Sequence, residues 1–244
     1  KKERSETGRE IIRQLIRNAD IAKKERYPIC QDTGLAVVFI DIGQDVRIVN
    51  GDLTEAINEG VSIGYREGFL RRSIVSGPFI RKNTGDNTPA IIHAEIVPGD
   101  KIKITFMAKG GGCENVSTYK MFKPTASKEE IENFVIETVA QAGANPCPPI
   151  IVGVGIGGNQ ETSALLAKKA NLREVGRINS NKDIAQMEKE VLTKINNLGI
   201  GPEGLGGTIT ALAVHIETAP CHIASLPVTV NIECHAHRIK EAII

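Results

Sequence analysis

The residues best suited to chemistry lie in Pro28-Ile29-Cys30-Gln31-Asp32-Thr33-Gly34, where a thiol, an amide and a carboxylate stand side by side. Pro28 keeps Tyr27 out of the helical region, so a preceding helix should end there. Gly34 permits a tight turn into the apolar run Leu35–Ile40. The three polar side chains should therefore be presented on a short loop between rigid elements, the usual place for a reacting group. A second such stretch is Lys109-Gly110-Gly111-Gly112-Cys113-Glu114-Asn115. Its bare backbone would let N–H groups approach an anion closely, and the alternative is a flexible linker. A third thiol, in Asn145-Pro146-Cys147-Pro148-Pro149, has its direction set by rigid neighbours. That suits a metal ligand or a buried cysteine in a proline-rich turn.

The elements that must position these groups follow from periodicity. Helical spacing recurs over 5–24 with Ser5 as N-cap, over 54–70, after the capping box Ser127-Lys128-Glu129-Glu130, over 161–170 and over 182–198. Strand-like runs are 35–40, 46–49, 91–97, 102–107, 150–156, 208–216 and 228–232. The first two read as a hairpin across Gly43-Gln44-Asp45, and 91–97 with 102–107 as an antiparallel pair across Pro98–Lys101. The expectation is an α/β protein (α+β as the alternative) in which mixed sheets are flanked by about five helices. It is read as a single domain over 1–244, with no internal repeat.

Composition removes several function classes. The 244 residues hold 30 Lys plus Arg against 29 Asp plus Glu, a net charge of +1, with 4% aromatics and no tryptophan. This is not the clustered positive field or stacking platform of a nucleic-acid binder. No apolar run approaches the roughly 20 residues that cross a bilayer. No signal-peptide pattern follows Lys1-Lys2-Glu3-Arg4-Ser5, so the reading is a cytoplasmic protein. Five widely spaced cysteines then favour metal binding or catalysis over a disulfide framework.

No close cysteine pair marks a zinc site. Cys234-His235-Ala236-His237 resembles a ligand cluster, but alternating side chains could hardly all converge on one ion. Three thiolates from distant loops remain possible; on a four-iron cluster they would leave one iron open as a Lewis acid. Gly153, Gly155 and Gly158 formally spell the dinucleotide-binding G-x-G-x-x-G, yet no second strand with a terminal acidic residue follows. Close strand–helix packing, with a helix N-terminus aimed at a carboxylate, explains these glycines as well.

Taken together, Cys30-Gln31-Asp32-Thr33-Gly34, Lys109–Gly112, the segment 153–158 with Asn159-Gln160-Glu161, and His222-Ile223-Ala224-Ser225-Leu226-Pro227-Val228 resemble class I iron–sulfur fumarate hydratase. The resemblance runs from about residue 5 to the end and fits the alpha subunit of the two-subunit form. L-tartrate dehydratase alpha subunits share the motifs. It implies a hydro-lyase that interconverts fumarate and (S)-malate, a tricarboxylic acid cycle reaction, or alternatively dehydrates L-tartrate. It further implies a [4Fe–4S] cluster on Cys30, Cys147 and Cys234, with Cys113 and Cys221 as non-ligands; serine is common in the family where Cys113 stands. Asp32 and His222 take the catalytic positions, and Gln31, Arg71, Gly111 and Gly112 bind substrate. A beta subunit would supply the base for the carbon-bound proton and complete a higher oligomer. Two readings from other classes are a nucleotide-binding module on Gly153–Gly158 and a zinc-stabilised interaction subunit using Cys234 and its histidines.

Overall fold

A computed structural model describes residues 3–244; Lys1 and Lys2, part of the basic start read above, lie outside the described residues. The chain forms two compact units, each with one four-stranded mixed sheet. One comprises residues up to Arg17 together with Gly112–His235, the other Asn18–Gly111 with Ala236–Ile244. Two of the three boundaries fall inside helices α1 (Glu6–Glu25) and α3 (Gly111–Glu114), so no linker composition announces those two. The α/β reading with mixed sheets and flanking helices holds.

In the second unit, β1 (Leu35–Gly43) is central, parallel to β2 (Ile91–Val97) and antiparallel to β3 (Ile102–Lys109). The expected antiparallel pairing of 91–97 with 102–107 is therefore wrong: β1 lies between them. Residues 46–49 form no strand either, so the hairpin with 35–40 is absent. A sheet interior leaves no room for short-range pairing when a more apolar strand, buried from Ala36 to Ile40, can take both neighbours. The carboxyl-terminal β8 (Ile239–Ile243), unmarked by periodicity, pairs antiparallel with β3 and carries Arg238 to its start. Helix α2 (Leu53–Glu67), capped by Asp52, packs Val61 and Tyr65 on Ala36.

The first unit has strand order β4 (Thr118–Phe122), β7 (Leu226–Glu233), β5 (Ile150–Gly158), β6 (Ala211–Cys221). Alternation divides this sheet into two chemically distinct faces. Val228, Val230 and Ile232 of β7 join Ile150, Val152 and Val154 of β5 in an apolar core with α4 (Lys128–Ala142) and α6 (Lys182–Asn196). On the other face lie Thr229, Asn231 and the glycines of β5, beneath α5 (Gln160–Ala170). Ser163 Oγ meets Thr229 Oγ1 at 2.9 Å, and Asn171 Nδ2 donates to Asn231 Oδ1 at 3.1 Å. A Cβ on Gly153 or Gly155 would strike the backbone carbonyl oxygen of Ala167 or Ser163. The G-x-G-x-x-G pattern thus serves close strand–helix packing.

Local capping agrees with the sequence. Ser5 Oγ accepts from Gly8 N at 3.2 Å, and the Ser127/Glu130 capping box is present. Ahead of Ser5, Glu3 is buried and accepts from the amides of Ser5, Thr208 and Ile209 at 2.8–2.9 Å. Burial pushes its carboxyl up, but these backbone donors outweigh it and hold the group below the usual range. The segment before α1 is pinned in this way to residues 208–209. The triple glycine opens α3, a sixth short helix beyond the five expected. Among the described residues no helix is long and apolar enough to cross a membrane.

Candidate active site

The Cys30 loop is held from several sides within its own unit. Gly34 has φ +75°, and a Cβ there would meet Lys109 O at 2.7 Å, so only glycine fits the turn. The Tyr65 hydroxyl donates to Thr33 O at 2.8 Å and approaches Gly34 O at 3.1 Å. Asn87, fully buried, donates to Gly34 O at 3.2 Å and accepts from Ser73 N and Ile74 N. Thr33 Oγ1 donates to Arg71 O at 3.0 Å. Turn, buried anchors and the Arg71 segment are thereby one hydrogen-bonded assembly.

Asp32 is the best-organised functional group in that assembly. Its Oδ1 accepts from Gly34 N at 2.9 Å and its Oδ2 from Gly111 N at 2.8 Å. The two motifs singled out by sequence thus meet, with the glycine amide directed to the chain's own carboxylate. A carboxylate offers about four acceptor sites, so about two remain for another ligand. Arg238 completes the arrangement. Its Nη1 donates to Asp32 O at 2.6 Å and lies 3.8 Å from Cys30 Sγ, while Cys30 Sγ contacts Asp32 O at 3.0 Å. A positive charge therefore faces the sulfur. Sequence reasoning assigned Arg238 no role. The only signal was a cation four residues after Cys234, and its target could not be read because it lies more than two hundred positions away.

Gln31, within this loop, and Arg71, on the segment tied to it, are both exposed. In the other unit are Gly112, Cys147, His222 and Cys234. His222 is exposed in the turn joining β6 to β7, and its Nδ1 accepts from Ala224 N at 3.1 Å. Cys147 is exposed in a turn, with φ +54° and its amide donating to Ala144 O at 3.0 Å. Positive φ at a non-glycine residue is a strained conformation of the kind retained at working sites. His235 Nδ1 lies 3.0 Å from Cys147 O and 3.2 Å from Glu203 Oε1. Cys234 gathers instead with Cys113 and Glu233, in a group able to hold a metal ion. None of the five cysteines is in a disulfide.

Residues 1–243 match the fumarate hydratase (fumerase) family. The chain belongs to this family. Similar proteins include the "Putative L(+)-tartrate dehydratase subunit alpha" of Methanocaldococcus jannaschii, 47% identical over 244 residues, covering 98% of this chain and 85% of that protein. The L(+)-tartrate dehydratase subunit alpha of Escherichia coli is 35% identical over 240 residues, and that of Shigella sonnei 34%, each covering 97% of this chain and 78% of theirs. Fumarate hydratases and tartrate dehydratases are both hydro-lyases, so the hydro-lyase reading stands at that level. The family match also removes the nucleotide-module reading, whose glycines are occupied by α5.

Tyr65 gives the loop a pH signature. Burial pushes its hydroxyl up to about 12, with the Arg238 guanidinium opposing and the Asp32 carboxylate adding to the rise. An unfolded tyrosine ionises near pH 10, so the stability this group contributes is complete below about pH 10 and lost as pH rises to about 12. Tyr65→Phe should cost about 1–2 kcal/mol at neutral pH. Its denaturant midpoint should then fall less steeply than that of the parent between about pH 10 and about pH 12. Parallel curves for the two proteins would contradict this account.

Proposed function

We propose that this chain is the alpha subunit of an iron–sulfur hydro-lyase that reversibly hydrates fumarate to (S)-malate, with a beta subunit completing the active site. The observation that carries the reading is the Asp32 carboxylate, fixed by Gly34 and Gly111 amides beside Cys30 in a chain that matches the family end to end.

The donor chemistry supports a cluster. Cys30, Cys147 and Cys234 are thiols outside any disulfide, the ligand type iron–sulfur clusters take. Cys30 lies beside the Arg238 cation, and Cys147 is held by its proline turn. We assign these three as the ligands of a [4Fe–4S] cluster. When bound, such a group supplies an open iron that polarises a substrate hydroxyl without a strong acid.

The protein's own groups do the rest. Arg71, on a segment tied to Thr33, binds a substrate carboxylate, on which charge develops as the neighbouring carbon loses its proton. Gln31 donates to the substrate from the loop surface, and Gly112 offers a backbone amide. Gly111 acts through Asp32 by fixing its orientation. Asp32 accepts or returns the hydroxyl proton, with His222 as the second group for that transfer. The base for the carbon-bound proton comes from the beta subunit.

A second reading, dehydration of L-tartrate, is favoured by the names of the relatives. Malate and tartrate differ by one hydroxyl, so a few pocket contacts decide between them. The test is anaerobic purification with and without a beta subunit, with iron counting and assays on fumarate, malate and tartrate. About four irons per chain, activity only in the pair and loss of both in Cys30→Ser are expected. A chain that takes up no iron on reconstitution, with a Cys30→Ser pair as active as the parent, would remove the cluster assignment.

A further inference from the structure

Three ligand atoms converge within the first unit. The Sγ atoms of Cys113 and Cys234 and a carboxylate oxygen of Glu233 lie within 4.8 Å of one another, all buried. Two thiols and a carboxylate brought together in one buried pocket form a donor set of the kind divalent cations take.

The surrounding polar face explains how the two segments are held together. Asn231 Nδ2 donates to Glu114 Oε2 and to Ser117 Oγ, each at 3.0 Å. Ser117 Oγ donates to Cys113 O at 3.2 Å, and Lys168 Nζ donates to Glu114 Oε1 at 2.7 Å. These contacts tie α3, which carries Cys113, to the end of β7, which carries Glu233 and leads into Cys234. Cys113 Sγ also lies 3.6 Å from Pro146 O. Outer hydrogen bonds that orient donors in this way are what a metal site requires.

The geometry points to a mononuclear site for a thiophilic divalent cation of the zinc type, bound by Cys113, Glu233 and Cys234. Two sulfurs with carboxylate oxygen match zinc's preferences in softness and coordination. In a tetrahedral site with zinc–sulfur distances of ~2.3 Å the two sulfurs stand about 3.7 Å apart, inside the 4.8 Å within which the three ligand atoms lie. The site uses Cys113 and does not use Cys30 or Cys147. It shares Cys234 with the cluster set assigned under Proposed function, and on that reading the two occupancies exclude each other. A chain that captures zinc before iron would be blocked from cluster assembly.

The test is a Co²⁺ titration of the full chain purified without iron, read by the thiolate-to-cobalt absorption. One equivalent, displaced by Zn²⁺, is expected in the parent and in Cys30→Ser and Cys147→Ser. Cys113→Ser should lose the absorption and Glu233→Gln should weaken binding at least tenfold. Zn²⁺ should also raise the unfolding midpoint of the parent and leave that of Cys113→Ser unmoved, a readout that compares each protein with itself. An unchanged signal in Cys113→Ser would overturn the site. Loss of the signal in Cys30→Ser or Cys147→Ser would also overturn it, assigning the cation to the cluster thiols and leaving the proposed function standing.

Discussion

Asp32→Asn is expected to lower turnover by roughly 10²- to 10⁴-fold, the range for removing a positioned proton-transfer group. The substitution keeps shape but leaves one acceptor oxygen where Gly34 and Gly111 supply two N–H donors. One amide would then face the new NH₂ group, so the side chain is mis-aimed as well as uncharged. The iron content of the variant should match that of the parent, since no cluster ligand is touched. KM for the dicarboxylate should change far less than kcat, because Arg71 and Gln31 remain. A variant with full turnover would remove Asp32 from the proton path; a variant that merely binds substrate weakly would make it a binding group. Arg238, which holds the Asp32 carbonyl and faces Cys30, should behave differently. Its loss is expected to disturb loop and thiol together, as removal of a positioning residue would.

Gly155→Ala should be among the most damaging single-methyl changes in the first unit, costing about 3 kcal/mol or more. The new Cβ would strike the carbonyl oxygen of Ser163 and lie 2.6 Å from Ala167 N and 2.9 Å from Leu166 Cβ. Two of these three atoms are backbone, so relief requires α5 to lift from β5. That would also part Ser163 from Thr229 and Asn171 from Asn231, leaving buried polar groups without partners. Soluble yield and the denaturant midpoint are the measurements. The contrasting control is Gly143→Ala, where a Cβ meets nothing within 4 Å and only the positive φ opposes it, so its cost should be about 1 kcal/mol. Equal effects at the two sites would refute the packing explanation and leave backbone entropy in its place.

Both predictions depend on features that differ in how far they could be read in advance. Short-range physics was visible. The helices at 5–24, 127–142 and 182–198, the Ser5 cap, the Ser127/Glu130 capping box and the turn at Gly34 are local events, determined by side chains a few positions apart. The residue types of the Cys30 loop and the glycine triplet likewise stood out as candidates before any fold was known, and the motifs named the family. Pairing was not visible. The Val46–Val49 run is as strand-like as its neighbours, yet β1 found better partners fifty and more positions away, and no periodicity reports which apolar surfaces will meet. The strands at Thr118–Phe122 and Ile239–Ile243 are short edge elements with polar residues, and they exist because a neighbouring strand offers them hydrogen bonds.

The candidate site divides in the same way. That a thiol, a carboxylate and bare amides were the candidate groups could be read from the chain order alone. That Gly111 N–H would point at Asp32, that Arg238 would reach back to Cys30, and that Cys113 would join Glu233 and Cys234 was decided by the tertiary structure. The cause is entropy. A contact between residues 79 to 208 positions apart forms only when the packing of whole sheets outweighs the cost of closing so long a loop, and that packing is a property of the assembled elements rather than of any segment.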